Sequence, residues 1–121
     1  MKVLISDDSE MIANRIAEMV YSIDGIDVVD KTNNIQDTLT YVNENKPDAV
    51  IIDPHVAGTS GIDLVRKLRS KTPMIILLTN QIFPQYYKRF IEAGAQFVFD
   101  KSLEFDRAIS VLKNLNIQRV S

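Results

Sequence analysis

Residues 48–54 have the sequence Asp-Ala-Val-Ile-Ile-Asp-Pro, and this segment indicates the fold class. Its four central residues are continuously apolar and mostly β-branched, whereas a strand with one face in water would alternate apolar and polar residues. Such a run predicts a short strand that is covered on both faces, as in a parallel sheet. Asp53 then stands at the carboxyl end of that strand.

The segments on either side of this strand alternate regularly along the chain. Four further apolar runs predict strands at Val3–Ser6, Ile26–Val29, Met74–Thr79 and Gln96–Phe99. Helical spacing of apolar residues predicts five helices between and after the strands. The first carries the apolar residues from Ile12 to Ile23, and the second begins at the capping residues Asn33-Asn34 and ends before Pro47. The third covers about 61–70, the fourth about 84–93, and the fifth begins after Ser102. We expect the last six residues, from Asn116, to form a short tail.

This alternation predicts an α/β fold of one doubly wound parallel sheet, flavodoxin-like, with strand order 2-1-3-4-5 and a single domain over residues 1–121. A net charge of −2 disfavours nucleic acid as a partner, and the absence of cysteine excludes disulfides and thiolate metal sites. No apolar run approaches the roughly 20 residues of a membrane span, and the N-terminus does not resemble a signal peptide. We therefore expect a cytoplasmic protein.

The polar residues that follow the strands indicate the site. Ligands of open parallel sheets bind at the carboxyl ends of the strands. Asp7 and Asp8 follow the first strand, Asp53 follows the third, Thr79 ends the fourth, and Lys101 follows the fifth. The fold thus brings three carboxylates, one hydroxyl and one ammonium to a single edge.

Three neighbouring carboxylates repel one another, and a hard divalent cation with oxygen ligands, Mg²⁺ or Mn²⁺, would relieve the repulsion. Thr79 and Lys101 can donate to an anion, so the set predicts a phosphoryl-transfer site. Each residue has a simpler interpretation when taken alone. Asp8 could cap the first helix, and Asp53 could form a turn with Pro54.

With these residues at the strand ends, the chain resembles bacterial and archaeal receiver domains of two-component systems, which have the fold of CheY. The resemblance covers nearly the whole chain. It is carried by Val3-Leu4-Ile5-Ser6-Asp7-Asp8-Ser9, Asp48-Ala49-Val50-Ile51-Ile52-Asp53, Gly58-Thr59-Ser60-Gly61-Ile62-Asp63-Leu64-Val65-Arg66, Thr79, Gly94-Ala95 and Phe99-Asp100-Lys101.

The resemblance implies that Asp53 accepts a phosphoryl group from a phosphohistidine of a sensor histidine kinase or a histidine phosphotransferase. It also implies a Mg²⁺ ion held by Asp8, by Asp53, by the backbone carbonyl of His55 and, through a water, by Asp7. Such a protein is not an enzyme beyond its own phosphorylation and dephosphorylation at Asp53.

The resemblance further implies that Lys101 pairs with the phosphoryl oxygens. The hydroxyl of Thr79 would move toward the phosphoryl group and couple it to a distant face, which a downstream protein target contacts. The switch would be a shift between two populations of the same chain.

Several positions depart from the family pattern. Pro54 follows the acceptor, where the family uses a backbone N–H to hold the phosphoryl group, and proline has none. We expect weaker stabilisation of the phosphorylated state, or compensation by His55. Val98 stands where the family has an aromatic switch residue, and Asn80 replaces a small residue. Ala57 and Ser102 each replace a common proline, and Ser102 could cap the fifth helix.

Two partner surfaces are predicted. The resemblance places the kinase or phosphotransferase on the first helix, at Ser9, Met11, Ile12 and Arg15. An aromatic stretch predicts a binding patch or a homodimer face at Phe83, Tyr86, Tyr87 and Phe90.

Two alternative functions stay open at this stage. One is a pseudo-receiver that signals by binding alone, which the departures at Pro54, Asn80 and Val98 motivate. The other is a flavodoxin-like nucleotide or flavin binder. It is disfavoured because Asp7-Asp8 stands where a phosphate-binding loop would be needed.

Overall fold

A computed structural model of the chain describes residues 1–56, 61–80 and 84–120. The elements in chain order are β1 (Lys2–Ser6), α1 (Glu10–Tyr21), β2 (Val28–Thr32), α2 (Ile35–Asn45), β3 (Ala49–Ile52), α3 (Gly61–Leu68), β4 (Met74–Thr79), α4 (Pro84–Ala93), β5 (Phe97–Asp100) and α5 (Phe105–Val120). They form one sheet in the order β2-β1-β3-β4-β5, and every neighbouring pair is parallel. The predicted fold class and strand order are confirmed.

The sheet is covered by helices on both faces. Because side chains alternate along a strand, Val3 and Ile5 of β1 pack toward α1 and α5, whereas Leu4 packs toward α2, α3 and α4. All four residues of β3 are buried, which explains why its sequence is continuously apolar. The sheet is therefore a stiff apolar platform beneath the ends of its strands.

Two predicted boundaries are wrong. β2 lies at Val28–Thr32 and not at Ile26–Val29, because it pairs with β1 along its whole length and ends opposite Ser6. β2 lies at an edge of the sheet and is only partly buried, so it has no continuous apolar run. The prediction followed the more apolar segment Ile26–Val29 instead. The fifth helix continues to Val120, and the expected tail from Asn116 is helical, because neither Gly nor Pro follows to stop it.

Side-chain hydrogen bonds begin the first two helices. The Ser9 hydroxyl accepts the Ile12 N–H at 3.4 Å, and the Asn34 side chain accepts the Asp37 N–H at 2.8 Å. Asn34 is thus the predicted cap of α2. Ser9 caps α1, so the alternative that Asp8 merely caps this helix is wrong. In the described part of the chain, no helix has the length and apolarity needed to cross a membrane.

Tyr41 of α2 attaches this helix to the edge strand. Its hydroxyl donates to Asp30 Oδ2 of β2 at 2.5 Å. Burial, the hydrogen bond to Asp30 and the charge of Asp30 together raise the pKa of Tyr41 to about 12. The folded protein therefore keeps this phenol proton at pH values where the unfolded chain has released it.

This difference predicts a loss of stability in alkali. Because the pKa is raised on folding, the contribution of Tyr41 is complete below pH 10.0 and is lost as the pH rises toward about 12. In urea titrations over that range, we expect the wild-type protein to lose free energy of unfolding relative to Tyr41→Phe. The exposed Tyr21→Phe variant is the control and should follow the wild type. Parallel curves for wild type and Tyr41→Phe would contradict the assignment.

Candidate functional site

The strand register brings the predicted acids together. Ser6 pairs with Ile52, so Asp7 and Asp53 leave adjacent strands side by side. The backbone N–H of Asp53 donates to the carbonyl of Ser6 at 2.9 Å, which holds the ends of β1 and β3 in this relation. Asp7, Asp8 and Asp53 each offer a carboxylate oxygen, and the three oxygens lie within 4.8 Å of one another.

The three acids differ in exposure. Asp7 is 2% exposed, the side chain of Asp53 is 11% exposed and Asp8 is exposed, so the group opens toward solvent on the side of Asp8. Oxygen ligands at this spacing match the preference of a hard divalent cation for carboxylates and water. The donor set therefore fits the Mg²⁺ or Mn²⁺ ion that the sequence analysis predicts, with Asp8 on the accessible side.

Lys101 lies between two of these acids. Its Nζ is 2.5 Å from Asp7 Oδ2 and 2.6 Å from Asp53 Oδ2, and its side chain is only 8% exposed. Burial by itself lowers the pKa of an ammonium, but here the hydrogen bonds and charges of Asp53 and Asp7 outweigh it and raise the pKa of Lys101. Lys101 therefore carries a positive charge in the middle of the site.

Hydrogen bonds in the loop after β5 hold Lys101 in position. The Lys101 N–H donates to the carbonyl of Thr79 at 3.0 Å, and Asp100 Oδ1 accepts the N–H groups of Ser102 and Leu103 at 2.8 and 2.9 Å. The Lys101–Ser102 peptide bond is trans. The prediction that Ser102 caps α5 is wrong, because the helix begins three residues later, at Phe105.

The loop after β3 holds the other oxygen of Asp53. The His55 N–H donates to Asp53 Oδ1 at 2.9 Å. Pro54 is buried, and a Cβ added at Gly61 would lie 2.5 Å from Pro54 Cβ, so only glycine fits against the proline. His55 therefore orients the Asp53 carboxylate, whereas Pro54 has no N–H to offer at this edge. Ala57, a second departure in this loop, lies outside the described residues.

Thr79 and its neighbours stand at the end of β4. Thr79 is 1% exposed and pairs in register with Asp100. Asn80 is exposed, and its side-chain oxygen accepts the Ser102 hydroxyl at 3.3 Å. Val98 is buried on the sheet face that packs against α3 and α4, so no aromatic side chain occupies the expected switch position.

The first predicted partner surface adjoins the site. Ile12 and Arg15 line a groove of about 330 Å³ that Lys101 and Phe105 also line. Met11 is 65% exposed, and Ser9 is the partly buried cap of α1. Ile12 and Arg15 therefore lie beside Lys101, and the assignment of the four residues to a partner surface stays a prediction.

The second surface is only partly as predicted. Tyr86 and Tyr87 are 39% and 43% exposed. Phe90 is 7% exposed and packs in the core, so its assignment to a partner surface is wrong. Helical spacing turns Phe90 toward the sheet, beside Ala93. Phe83 lies outside the described residues.

One group of hydroxyl residues beside the acids is not predicted by the sequence. Ser6, Thr32 and Thr38 join their hydroxyls at the ends of β1 and β2, and Ser6 and Thr38 are fully buried. The sequence predicts Ser6 only as the last residue of an apolar strand. A signal existed in the sequence, since a serine directly before Asp7 interrupts an otherwise apolar run.

The chain matches a family of known proteins. Residues 3–113 match the response regulator receiver domain family. The chain is 26% identical over 119 residues to the transcriptional regulatory protein DesR of Bacillus subtilis, covering 98% of this chain and 60% of DesR. It is 30% identical over 121 residues to the sensory transduction protein LytR of Staphylococcus haemolyticus, covering 99% of this chain and 42% of LytR. The chain thus spans about half the length of such curated relatives.

Solved structures show the same fold. The receiver domain of a Francisella response regulator superposes with a TM-score of 0.84 at 24% identity, covering 99% of this chain and 98% of that one. A response regulator from Burkholderia pseudomallei, solved with a phosphorylated aspartic acid and a calcium ion, gives a TM-score of 0.82 at 21% identity. The match covers 97% of this chain and 69% of the Burkholderia chain.

The position of Lys101 predicts a large loss of stability when its charge is removed. Lys101→Met leaves the buried carboxylates of Asp7 and Asp53 without their cation. In urea titrations with a metal chelator present, we expect the free energy of unfolding of Lys101→Met to be about 3 kcal/mol lower than that of the wild type. Lys88→Met is the matched control because the Lys88–Glu92 pair is exposed, and it should cost less than about 0.5 kcal/mol. Equal losses would show that the Lys101 contacts contribute no more than a surface pair.

Proposed function

Because this chain belongs to the response regulator receiver family of two-component systems, we propose that it is a signalling module in which Asp53 accepts a phosphoryl group. The observation that carries the proposal is the placement of the Lys101 ammonium between Asp7 and Asp53, beside the exposed Asp8. Carboxylates that can hold a cation and an ammonium that can hold an anion are the parts of a phosphoryl-transfer site.

We assign the metal ligands to the same edge. Asp8 and Asp53 would bind Mg²⁺ or Mn²⁺ directly, the carbonyl of His55 would be a third ligand, and Asp7 would act through water. When bound, the cation neutralises charge on the phosphoryl oxygens. The exposure of Asp8 supports this assignment, because Mg²⁺ sites usually retain several waters.

In the transfer, a carboxylate oxygen of Asp53 attacks the phosphorus of a phosphohistidine. The new O–P bond forms as the P–N bond breaks, and the electron pair of that bond stays on the imidazole nitrogen. Lys101 can shift from the carboxylate to the phosphoryl oxygens. His55 already donates its N–H to Asp53 Oδ1 and orients the carboxylate.

The signal would leave the site through β4 and β5. The Thr79 hydroxyl would turn to the phosphoryl group, and the Lys101 N–H bond to the Thr79 carbonyl couples the two strand ends. Val98 has no aromatic ring to rotate, so this coupling carries the response. The downstream protein target, or a second copy of the chain, would contact the exposed Tyr86 and Tyr87.

The donor would dock beside α1. Ile12 and Arg15 line the groove that reaches Lys101, and Met11 offers an exposed apolar side chain at its rim. A histidine kinase or a histidine phosphotransferase bound there would bring its phosphohistidine to the open side of the acids. In this proposal the chain catalyses no reaction beyond its own phosphorylation and dephosphorylation.

Incubation with Mg²⁺ and acetyl phosphate tests the proposal. We expect a phosphoryl adduct by intact-mass spectrometry that disappears in EDTA and in Asp53→Asn, while the exposed Asp106→Asn control keeps it. A folded wild-type protein without an adduct would refute the proposal and favour a receiver that signals by binding alone. A copurifying nucleotide or yellow chromophore would favour a cofactor binder instead.

Pro54 predicts a short-lived phosphorylated state. Pro54→Ala restores a backbone N–H next to the acceptor and keeps the Cβ that packs on Gly61. A donor to a charged oxygen is worth about 1.5–3 kcal/mol. We therefore expect the half-life of the isolated phosphorylated protein to increase about tenfold. An unchanged half-life would mean that the His55 N–H already compensates fully.

A further inference from the structure

Three hydroxyls meet next to the acidic site, at the ends of β1 and β2, where Ser6 and Thr38 are fully buried and Thr32 is partly buried. The Ser6 hydroxyl is 2.7 Å from Thr38 Oγ1, and the Thr32 hydroxyl is 2.8 Å from the same atom. Thr38 lies in the first turn of α2. We call Ser6, Thr32 and Thr38 the hydroxyl cluster.

The direction of these hydrogen bonds follows from counting protons. Thr38 Oγ1 is 2.6 Å from the Asn34 carbonyl, which can only accept, so the single hydroxyl proton of Thr38 is donated there. The Ser6 and Thr32 hydroxyls must then both donate to Thr38 Oγ1. This oxygen thus makes one donor and two acceptor contacts, which is its full capacity.

The same residues hold the backbone of two site carboxylates. The Asp7 N–H donates to the Thr32 carbonyl at 3.0 Å, and the Asp53 N–H donates to the Ser6 carbonyl at 2.9 Å. Ser6 also precedes Asp7 in the chain. A displacement of Ser6 or Thr32 would therefore move Asp7, and a displacement of Ser6 would also move Asp53.

We propose that Thr38 is a positioning residue for the acidic site. Its hydroxyl ties β1, β2 and α2 together, and through Ser6 and Thr32 it sets the separation of Asp7 and Asp53. The placement of the acids is a property of the folded chain. The consequence for metal binding rests on the function proposed above.

Thr72 offers a comparison with a buried threonine that only satisfies a hydrogen bond. It is 4% exposed, and its hydroxyl donates to the Pro47 carbonyl at 3.0 Å. It precedes β4 and therefore lies at the opposite edge of the sheet from the acids. Thr72→Val removes a buried hydroxyl as Thr38→Val does, but far from the site.

The test compares Thr38→Val, Thr38→Ser and Thr72→Val by amide hydrogen exchange and by Mg²⁺ titration. In Thr38→Val, we expect exchange at Asp7 and Asp53 to accelerate about tenfold relative to Asp48, whose N–H bond to Lys2 lies at the other edge. We expect Mg²⁺ affinity to weaken about tenfold. Thr38→Ser keeps the hydroxyl and should restore both values, and Thr72→Val should change neither.

Each outcome decides the proposal. Unchanged exchange ratios in Thr38→Val would overturn it, as would equal effects in Thr38→Ser or Thr72→Val, since these would indicate volume or general stability. If Thr38→Val does not fold, Thr32→Val removes one donor and should accelerate exchange at Asp7 about threefold. If the wild type binds no Mg²⁺, the proposed metal site fails, while the exchange ratios still decide the role of Thr38.

Discussion

The ion contacts of Lys101 are the constraint on which the site depends. Its Nζ lies 2.5 Å from Asp7 and 2.6 Å from Asp53, so one ammonium joins the ends of β5, β1 and β3. Two buried carboxylates that contact the same ammonium also repel each other, and burying an unpaired ammonium would cost free energy of folding. Each charge is stable in this position because the others are present, which makes the site sensitive to any charge that enters it.

A stiff platform lets these charges face each other. The strands below the site are covered by helices on both faces, and their close packing leaves the strand ends little freedom. On one side the hydroxyl cluster ties β1 and β2 to α2. On the other side Gly61 packs against Pro54, and the His55 N–H holds Asp53. The carboxylates are therefore positioned before any ligand arrives.

The chain combines a familiar site with an unusual surrounding. The acids and Lys101 meet at one edge of the sheet, as the sequence predicted, whereas Pro54 has no backbone N–H and Val98 has no aromatic ring. His55 donates to the Asp53 carboxylate itself and so orients that side chain. In the proposed function, the backbone bond between Lys101 and Thr79 connects the site to the α4 side in place of an aromatic side chain.

The strand–helix alternation, the parallel sheet and the acids that follow its strands were predictable from the sequence, because they follow from local periodicity and from the rule that parallel strands end at one edge. The sequence predicted β2 wrongly, because pairing with β1 rather than apolar content positions an edge strand. It also placed Phe90 on the surface, since the direction of a helix face depends on how the helix sits on the sheet. The meeting of Ser6, Thr32 and Thr38 could not be predicted from the sequence, because the strand register and the position of α2 bring Ser6 next to Thr38, which lies 32 residues later in the chain.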